Sequence, residues 1–237
     1  MAKVIILSGA GVSAESGIST FRDSGGLWEQ YRVEDICTVG CLVTNRKQTL
    51  EFYDKRRADL IDKEPNHAHK TIAKLKEKYK DDIAIITQNV DDLFEKAGIV
   101  HHDVLHLHGF LTNLECERCG ELYEVGYQKT AESYDGRCPR CESEKVRPHI
   151  VMFGEAAPNY QVMYQEFDDC EMFVVIGTSG YVIHTDMFLN PDIKISILNN
   201  LEPSIAIDDT LYTKVLYKPA SQAIDEIARD VEEFLGI

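Results

Sequence analysis

Five short apolar runs, at 4–7, Ile83–Thr87, 104–107, 173–176 and 193–198, alternate along the chain with stretches of helical periodicity. Runs this short, apolar at nearly every position, predict strands, several of them buried on both faces. The intervening segments 47–63, His67–Tyr79, 90–97, 159–167 and 221–235 predict helices. In the last, Ala220, Ile224, Ile227, Val231, Phe234 and Leu235 share one face at a spacing near 3.6 residues. Strands alternating with helices predict an α/β fold, a Rossmann-like doubly wound parallel sheet with short right-handed connections. Two stretches break the rhythm. Segment 21–45 is loop-like and dotted with glycine, and segment 112–148 is rich in turns; both are expected as insertions on one side of the sheet.

Segment 112–148 carries the strongest chemical signal. Cys116 and Cys119 form one C-x2-C pair and Cys138 and Cys141 another, with eighteen residues between the pairs. That spacing suits four thiolates on one tetrahedral zinc, and four thiolates leave no open position, so the metal is expected to be structural. Cys37, Cys41 and Cys170 have no matching pattern, and the seven cysteines do not form a disulfide framework. Zinc thiolates and spare thiols suit a reducing cytoplasm. The apolar run after Met1-Ala2-Lys3 is too short for a signal sequence or a membrane span. A cytoplasmic protein without a membrane partner is expected. With 25 basic against 40 acidic residues the net charge is −15, which argues against nucleic-acid binding, since that needs a basic face.

After the first predicted strand comes Gly9-Ala10-Gly11-Val12-Ser13-Ala14, a G-x-G-x-x-A pattern that lets backbone turn tightly beside a pyrophosphate. In a dehydrogenase an acidic residue should close a second strand about 20 residues on. Here that stretch, Thr20-Phe21-Arg22-Asp23-Ser24-Gly25-Gly26-Leu27-Trp28, contains no strand. Two other predicted strand ends carry polar groups fit for a ligand, Thr87-Gln88-Asn89-Val90-Asp91 and Gly177-Thr178-Ser179.

Taken together, these motifs resemble the sirtuins, NAD-dependent protein-lysine deacylases. The opening signature runs from Gly9 to Arg22. Thr87 to Asp91, Leu107-His108-Gly109, the paired C-x2-C, Phe153-Gly154-Glu155, Gly177-Thr178-Ser179 and Asn200-Leu201-Glu202 follow in the family's order. The resemblance implies NAD as co-substrate, one structural zinc ion, acylated-lysine segments of other proteins as partners, and a monomer. It divides the chain into an NAD-binding Rossmann-like domain (1–20, 67–111 and 149–237), an insertion with acyl-selectivity residues (21–66) and a zinc-binding insertion (112–148).

The resemblance also assigns roles. His108 becomes the general base, with His106 the local competitor; without it, His108 is one of eight histidines. Asn89 and Asp91 would hold the nicotinamide carboxamide. Gly9, Ala10, Gly11, Ser13, Phe21, Arg22, Trp28, Gln88, Val90, Gly177, Thr178, Ser179, Asn200, Leu201, Glu202 and Ala220 would contact the remainder of NAD. Val151, Phe153 and Gly154 would offer an edge to an extended substrate peptide. In the family's mechanism the acyl-amide oxygen attacks C1′ of the nicotinamide ribose. The base then deprotonates a ribose hydroxyl, giving free lysine, nicotinamide and 2′-O-acyl-ADP-ribose.

Within 47–63, Tyr53 and Arg56 stand three residues apart and share a helix face, fit to grip one carboxylate. By charge alone this is as well a solvated basic turn. The resemblance matches the pair to a subclass, with bacterial members, that removes succinyl and malonyl as well as acetyl groups. Asp92 and Phe94, and His184 and Thr185, depart from the usual family residues. A nucleotide-sensing module without catalysis and mono-ADP-ribosyl transfer are the alternatives to deacylation.

Overall fold

The computed structural model describes residues 2–20 and 32–236. The strands are β1 (Val4–Ser8), β2 (Ile83–Thr87), β3 (Val104–His106), β4 (Gly109–Cys116), β5 (Leu122–Glu124), β6 (Val146–Ile150), β7 (Met172–Ile176), β8 (Ile195–Asn200) and β9 (Lys214–Tyr217). Six of them form one parallel sheet in the order β3-β2-β1-β7-β8-β9, and β5-β4-β6 form a separate antiparallel sheet. The chain leaves β1 for one side of the sheet and returns at β7 to fill the other. The order therefore reverses between β1 and β7, the place where open α/β sheets bind ligands.

All residues of β1 and β7 are buried, as sheet interiors covered on both faces require. Alternation splits β1 between two cores. Val4 and Ile6 pack with the helices His67–Tyr79 and Ala220–Leu235, whereas Ile5 and Leu7 pack with Met163 of the helix Asn159–Glu166. The last helix buries Ala220, Ala223, Ile224, Ile227 and Val231. Phe234 and Leu235, predicted on the same face, are partly buried against that cluster.

All five predicted strands lie in the large sheet. β9 escaped notice because it is an edge strand with no fully buried position. The predicted helix 90–97 contracts to Leu93–Lys96, because the Asp91 carboxylate accepts the Leu93 N–H at 3.2 Å and the residues before it serve the cleft. The segment 47–63 forms the helix Arg46–Ala58 and then turns. Within 21–45, predicted as loop, short helices occupy Val33–Ile36 and Cys41–Thr44.

Asn66 joins the first loop to the second layer. Its side-chain oxygen caps the helix His67–Tyr79 by accepting from Ala68 N at 2.9 Å and His69 N at 3.4 Å. Its Nδ2 donates to the Val12 carbonyl at 2.8 Å, behind the glycine turn. Asn66→Ala removes cap and tether together. It is expected to cost about 1–2 kcal/mol, measured as a lower urea midpoint with an unchanged slope.

Candidate functional site

Because the sheet is parallel, the carboxyl ends of its strands share one edge, and the predicted ligand-binding segments follow four of them: Gly9 to Ser13 after β1, Gln88 to Asp91 after β2, Gly177 to Ser179 after β7, and Asn200 to Glu202 at the end of β8. The first and third interlock. Gly9 N donates to Ile176 O at 2.9 Å and Gly11 N to Gly177 O at 2.8 Å. A Cβ on Gly11 would lie 2.6 Å from Gly177 Cα, and one on Gly177, whose φ is +66°, would lie 2.5 Å from Val12 N. Only glycine fits this crossing.

Ser13, in the short helix Ala10–Ala14, is fully enclosed and joins the loops. Its hydroxyl donates to Asp91 Oδ2 at 2.9 Å and accepts from Asn89 Nδ2 at 3.0 Å. Asn89 Nδ2 also reaches the Gly9 carbonyl at 3.2 Å. Burial raises the Asp91 carboxyl above its ordinary range, opposed by the Leu93 N–H and the Ser13 hydroxyl. His69 stands 3.4 Å from Ser13 Oγ, and burial pushes its imidazole down to about 4, so it is neutral near pH 7. Gln88 Nε2 donates to Thr178 Oγ1 at 3.0 Å and links β2 to β7.

His108 follows β3 directly. Its Nδ1 lies 2.9 Å from the Gln88 carbonyl, an acceptor only, so Nδ1 carries the proton and Nε2 presents a lone pair. The Tyr160 hydroxyl donates to that Nε2 at 2.9 Å. Burial lowers the His108 pKa, while the Gln88 carbonyl works against the shift. The competitor His106 spends Nδ1 on the Asn89 carbonyl at 3.1 Å and turns Nε2 to Glu95 at 2.9 Å, so both its nitrogens are engaged away from His108's partners. Tyr160 was not singled out in the sequence: a tyrosine 52 residues from His108 gives no signal of contact without the fold.

The residues expected on the adenosine side, Asn200 to Glu202 and Ala220, lie at the end of β8 and the start of the last helix. Asn200 and Ala220 are buried, Leu201 and Glu202 exposed, and Asn200 O accepts from Lys218 N at 3.0 Å. Phe21, Arg22 and Trp28 lie outside the described residues.

On the other side of the cleft, the Tyr53 hydroxyl donates to Cys37 Sγ at 3.3 Å, within a cluster that includes Val90 and Met152. Burial lowers the Arg56 pKa, and the carboxylates of Asp59 and Asp91 raise it. Asp91, in the loop after β2, thus also acts electrostatically on Arg56. Val151 N donates to His108 O at 2.9 Å, and Phe153 pairs with the strand-like 37–39 stretch through Phe153 N to Cys37 O and Val39 N to Phe153 O, both 2.8 Å. Among the described residues, Gly154 N–H and the Val151 carbonyl take no backbone partner. The departures are absorbed by new contacts: Asp92 accepts from the Tyr127 hydroxyl, Phe94 packs edge-on against His69, and Thr185 Oγ1 accepts from Tyr212 OH at 2.7 Å.

The four cysteines converge at the base of the small sheet, with Sγ–Sγ contacts of 3.6 Å (Cys116–Cys141) and 3.7 Å (Cys119–Cys138) and all four sulfurs within 4.8 Å of one another. A tetrahedron with zinc–sulfur bonds of about 2.3 Å has edges of about 3.8 Å. Both pairs sit on the same turn: Gly120 N donates to Cys116 O and Glu142 N to Cys138 O, each at 2.9 Å. These thiols are free and fit a zinc ion.

A parallel sheet with its polar loops gathered at the switch point, flanked by four clustered cysteines that fit a tetrahedral metal, defines a Rossmann-like α/β protein. The chain belongs to the Sir2 family, whose model matches residues 9–184. It is 45% identical over 235 residues to the NAD-dependent protein deacylase of Campylobacter jejuni, covering 99% of this chain and 98% of that protein. A Helicobacter hepaticus protein of the same description is 39% identical, with 99% of each chain covered. A solved Sir2 homologue–NAD complex superposes with a TM-score of 0.83 at 31% identity, covering 98% of this chain and 90% of that one. A Sir2 structure with a deacetylated p53 peptide and 3′-O-acetyl-ADP-ribose gives a TM-score of 0.78 at 29% identity, with coverage of 99% and 94%. Among the described residues no helix is long and apolar enough to cross a membrane.

A hydroxyl donating to Nε2 stabilises neutral imidazole and holds the proton off. Because burial already lowers the His108 pKa, it is expected to titrate below the ordinary value of about 6.5 in an NMR titration of its ring protons. Tyr160→Phe is expected to move that midpoint upward.

Proposed function

We propose that this chain is an NAD-dependent protein-lysine deacylase that removes acetyl groups and also succinyl or malonyl groups, with His108 as general base. The observation that carries the reading is the tautomer of His108. With Nδ1–H held on Gln88 O, the Nε2 lone pair, which accepts from the Tyr160 hydroxyl, lies beside the Asn89–Asp91 loop and can take a proton once that hydroxyl gives way. NAD supplies an activated ribose that receives the acyl group and releases nicotinamide.

The chain's own residues position and protect that exchange. The Gly9–Gly11 and Gly177 backbones admit the dinucleotide closely, and Asn89 and Asp91, tied by Ser13, hold the carboxamide. Val151 and Gly154 offer backbone groups to the lysine-bearing peptide. Tyr53 and Arg56 receive an acidic acyl terminus: a carboxylate there would be costly without a cation, and the Arg56 guanidinium has no hydrogen bond or ion pair among the described residues. Its neighbour Arg57, by contrast, is committed to Asp54 at 2.8 Å and to the Leu111 and Gln128 carbonyls. Tyr160 positions His108 and yields Nε2 when substrate enters.

The test is mass spectrometry on matched acetyl-lysine and succinyl-lysine peptides with and without NAD. NAD-dependent free lysine, nicotinamide and O-acyl-ADP-ribose are expected from both peptides. In Arg56→Met, desuccinylation is expected to fall about 100-fold or more, because the acidic acyl group loses its buried partner, while deacetylation persists. No deacylation by protein that still binds NAD would overturn the enzyme reading in favour of a nucleotide sensor. Equal loss on both peptides would remove the acyl-selectivity role from Arg56.

A further inference from the structure

The four thiols are not the only set of metal-ligating side chains that converges. Glu95 of the helix Leu93–Lys96, His101 in the turn before β3 and His106 at the end of β3 bring three ligand atoms within 4.8 Å of one another. His101 Nδ1 lies 2.8 Å and His106 Nε2 2.9 Å from the same oxygen, Glu95 Oε1. The other carboxylate oxygen, Oε2, is buried with no hydrogen-bond partner among the described residues.

The hydrogen-bond inventory makes this arrangement informative. The Asn89 carbonyl takes the His106 Nδ1–H, so neutral His106 presents an Nε2 lone pair to a carboxylate oxygen, two acceptors in contact. Something positive must lie between them. A proton on the imidazole satisfies one contact and leaves Oε2 orphaned, at a cost typical of a buried unpaired polar atom. A divalent cation can engage both imidazoles and the carboxylate, including Oε2. The carbonyl behind His106 is the kind of outer partner that orients a ligating histidine. The Phe110 ring, 4.3 Å from His101 and 4.7 Å from His106, walls the cluster with apolar surface.

We propose that Glu95, His101 and His106 form a second divalent-metal site, separate from the four-cysteine site, for a borderline cation of the zinc, cobalt or nickel class. Two imidazoles and a carboxylate suit such ions better than magnesium or calcium. Metal–ligand bonds of about 2.0–2.2 Å put neighbouring donors slightly further apart than the present 2.8 and 2.9 Å contacts. The half-exposed His101 ring (52% exposed) has room to swing outward by that amount, and it leaves a position open to solvent. The site sits directly behind the Asn89 carbonyl and two residues before His108, so occupancy adds a fixed charge at the back of the cleft.

Cobalt titration of protein whose cysteine site is already filled with zinc tests the proposal, read by visible absorption and by calorimetry. One further equivalent is expected to bind with weak ligand-field bands and no thiolate-to-cobalt charge-transfer absorption. His101→Ala, at an exposed position, and Glu95→Gln are each expected to weaken that binding by about tenfold or more. His67→Ala, which removes an exposed histidine paired with Asp225, is expected to leave it unchanged. Absence of the extra equivalent, uptake only with thiolate charge-transfer bands, or equal affinity in wild type and His101→Ala would overturn the site.

Discussion

Everything in the cleft hangs on two loops whose backbones cross with no room for a side chain. Gly9 and Gly11, after β1, press on Gly177, after β7, closely enough that a Cβ on any of the three would sit less than 3.0 Å from a neighbouring backbone atom. Parallel pairing of β1 with β7 brings the loops to the same edge, and the glycines let them touch. Once they do, the order of polar contacts follows. Ser13 is delivered to Asn89 and Asp91, and Thr178 to Gln88. Gln88 in turn uses its carbonyl to set the tautomer of His108. The His108 imidazole is oriented by a chain of hydrogen bonds that begins at a steric constraint, with the buried Asp91 carboxylate held by a hydroxyl and an N–H.

A second constraint holds the metal module over the cleft. Arg57, fully buried, donates to Leu111 O at 2.8 Å and Gln128 O at 2.9 Å while paired with Asp54, and Asp54 also accepts from Thr130. Arg46 donates to Val146 O at 2.6 Å. On the opposite flank Tyr127 donates to Asp92. The helix Arg46–Ala58 is therefore clamped against the small sheet, and it also carries the partly buried Arg56. The small sheet that carries the four cysteines is thus tied through Arg57 to the helix that bears Tyr53 and Arg56.

Much of this was legible in the residues themselves. Strands buried on both faces announced themselves as unbroken apolar runs, and the C-x2-C spacing carried its own geometry. The polar strand ends Gln88 to Asp91 and Gly177 to Ser179 were visible as ligand groups, but their connection through Ser13 was not, since contacts between residues 76 and 78 positions apart leave no local periodicity. The glycines of the first turn were attributed to pyrophosphate approach alone; their crossing with Gly177 depends on which strands are neighbours. β9 and the short helices at Val33–Ile36 and Cys41–Thr44 were hidden for a different reason: edge strands and single turns bury too little to impose a pattern. Tyr160 and the Glu95–His101–His106 cluster lie beyond any motif, because their chemistry arises only from tertiary contact.

The account is tested most directly by His108→Gln, followed for NAD binding by calorimetry and for NAD-dependent deacylation of an acetyl-lysine peptide across pH. Glutamine keeps a donor for the Gln88 carbonyl but has no lone pair of comparable basicity. Unchanged NAD affinity is predicted, with turnover lowered by about 100-fold or more. An acid limb is predicted for the unaltered chain at a pH below the ordinary histidine value of about 6.5, because burial lowers the His108 pKa, and its loss is predicted for the variant. Turnover within a few-fold of wild type, with the acid limb intact, would contradict it and move the proton acceptor to another group.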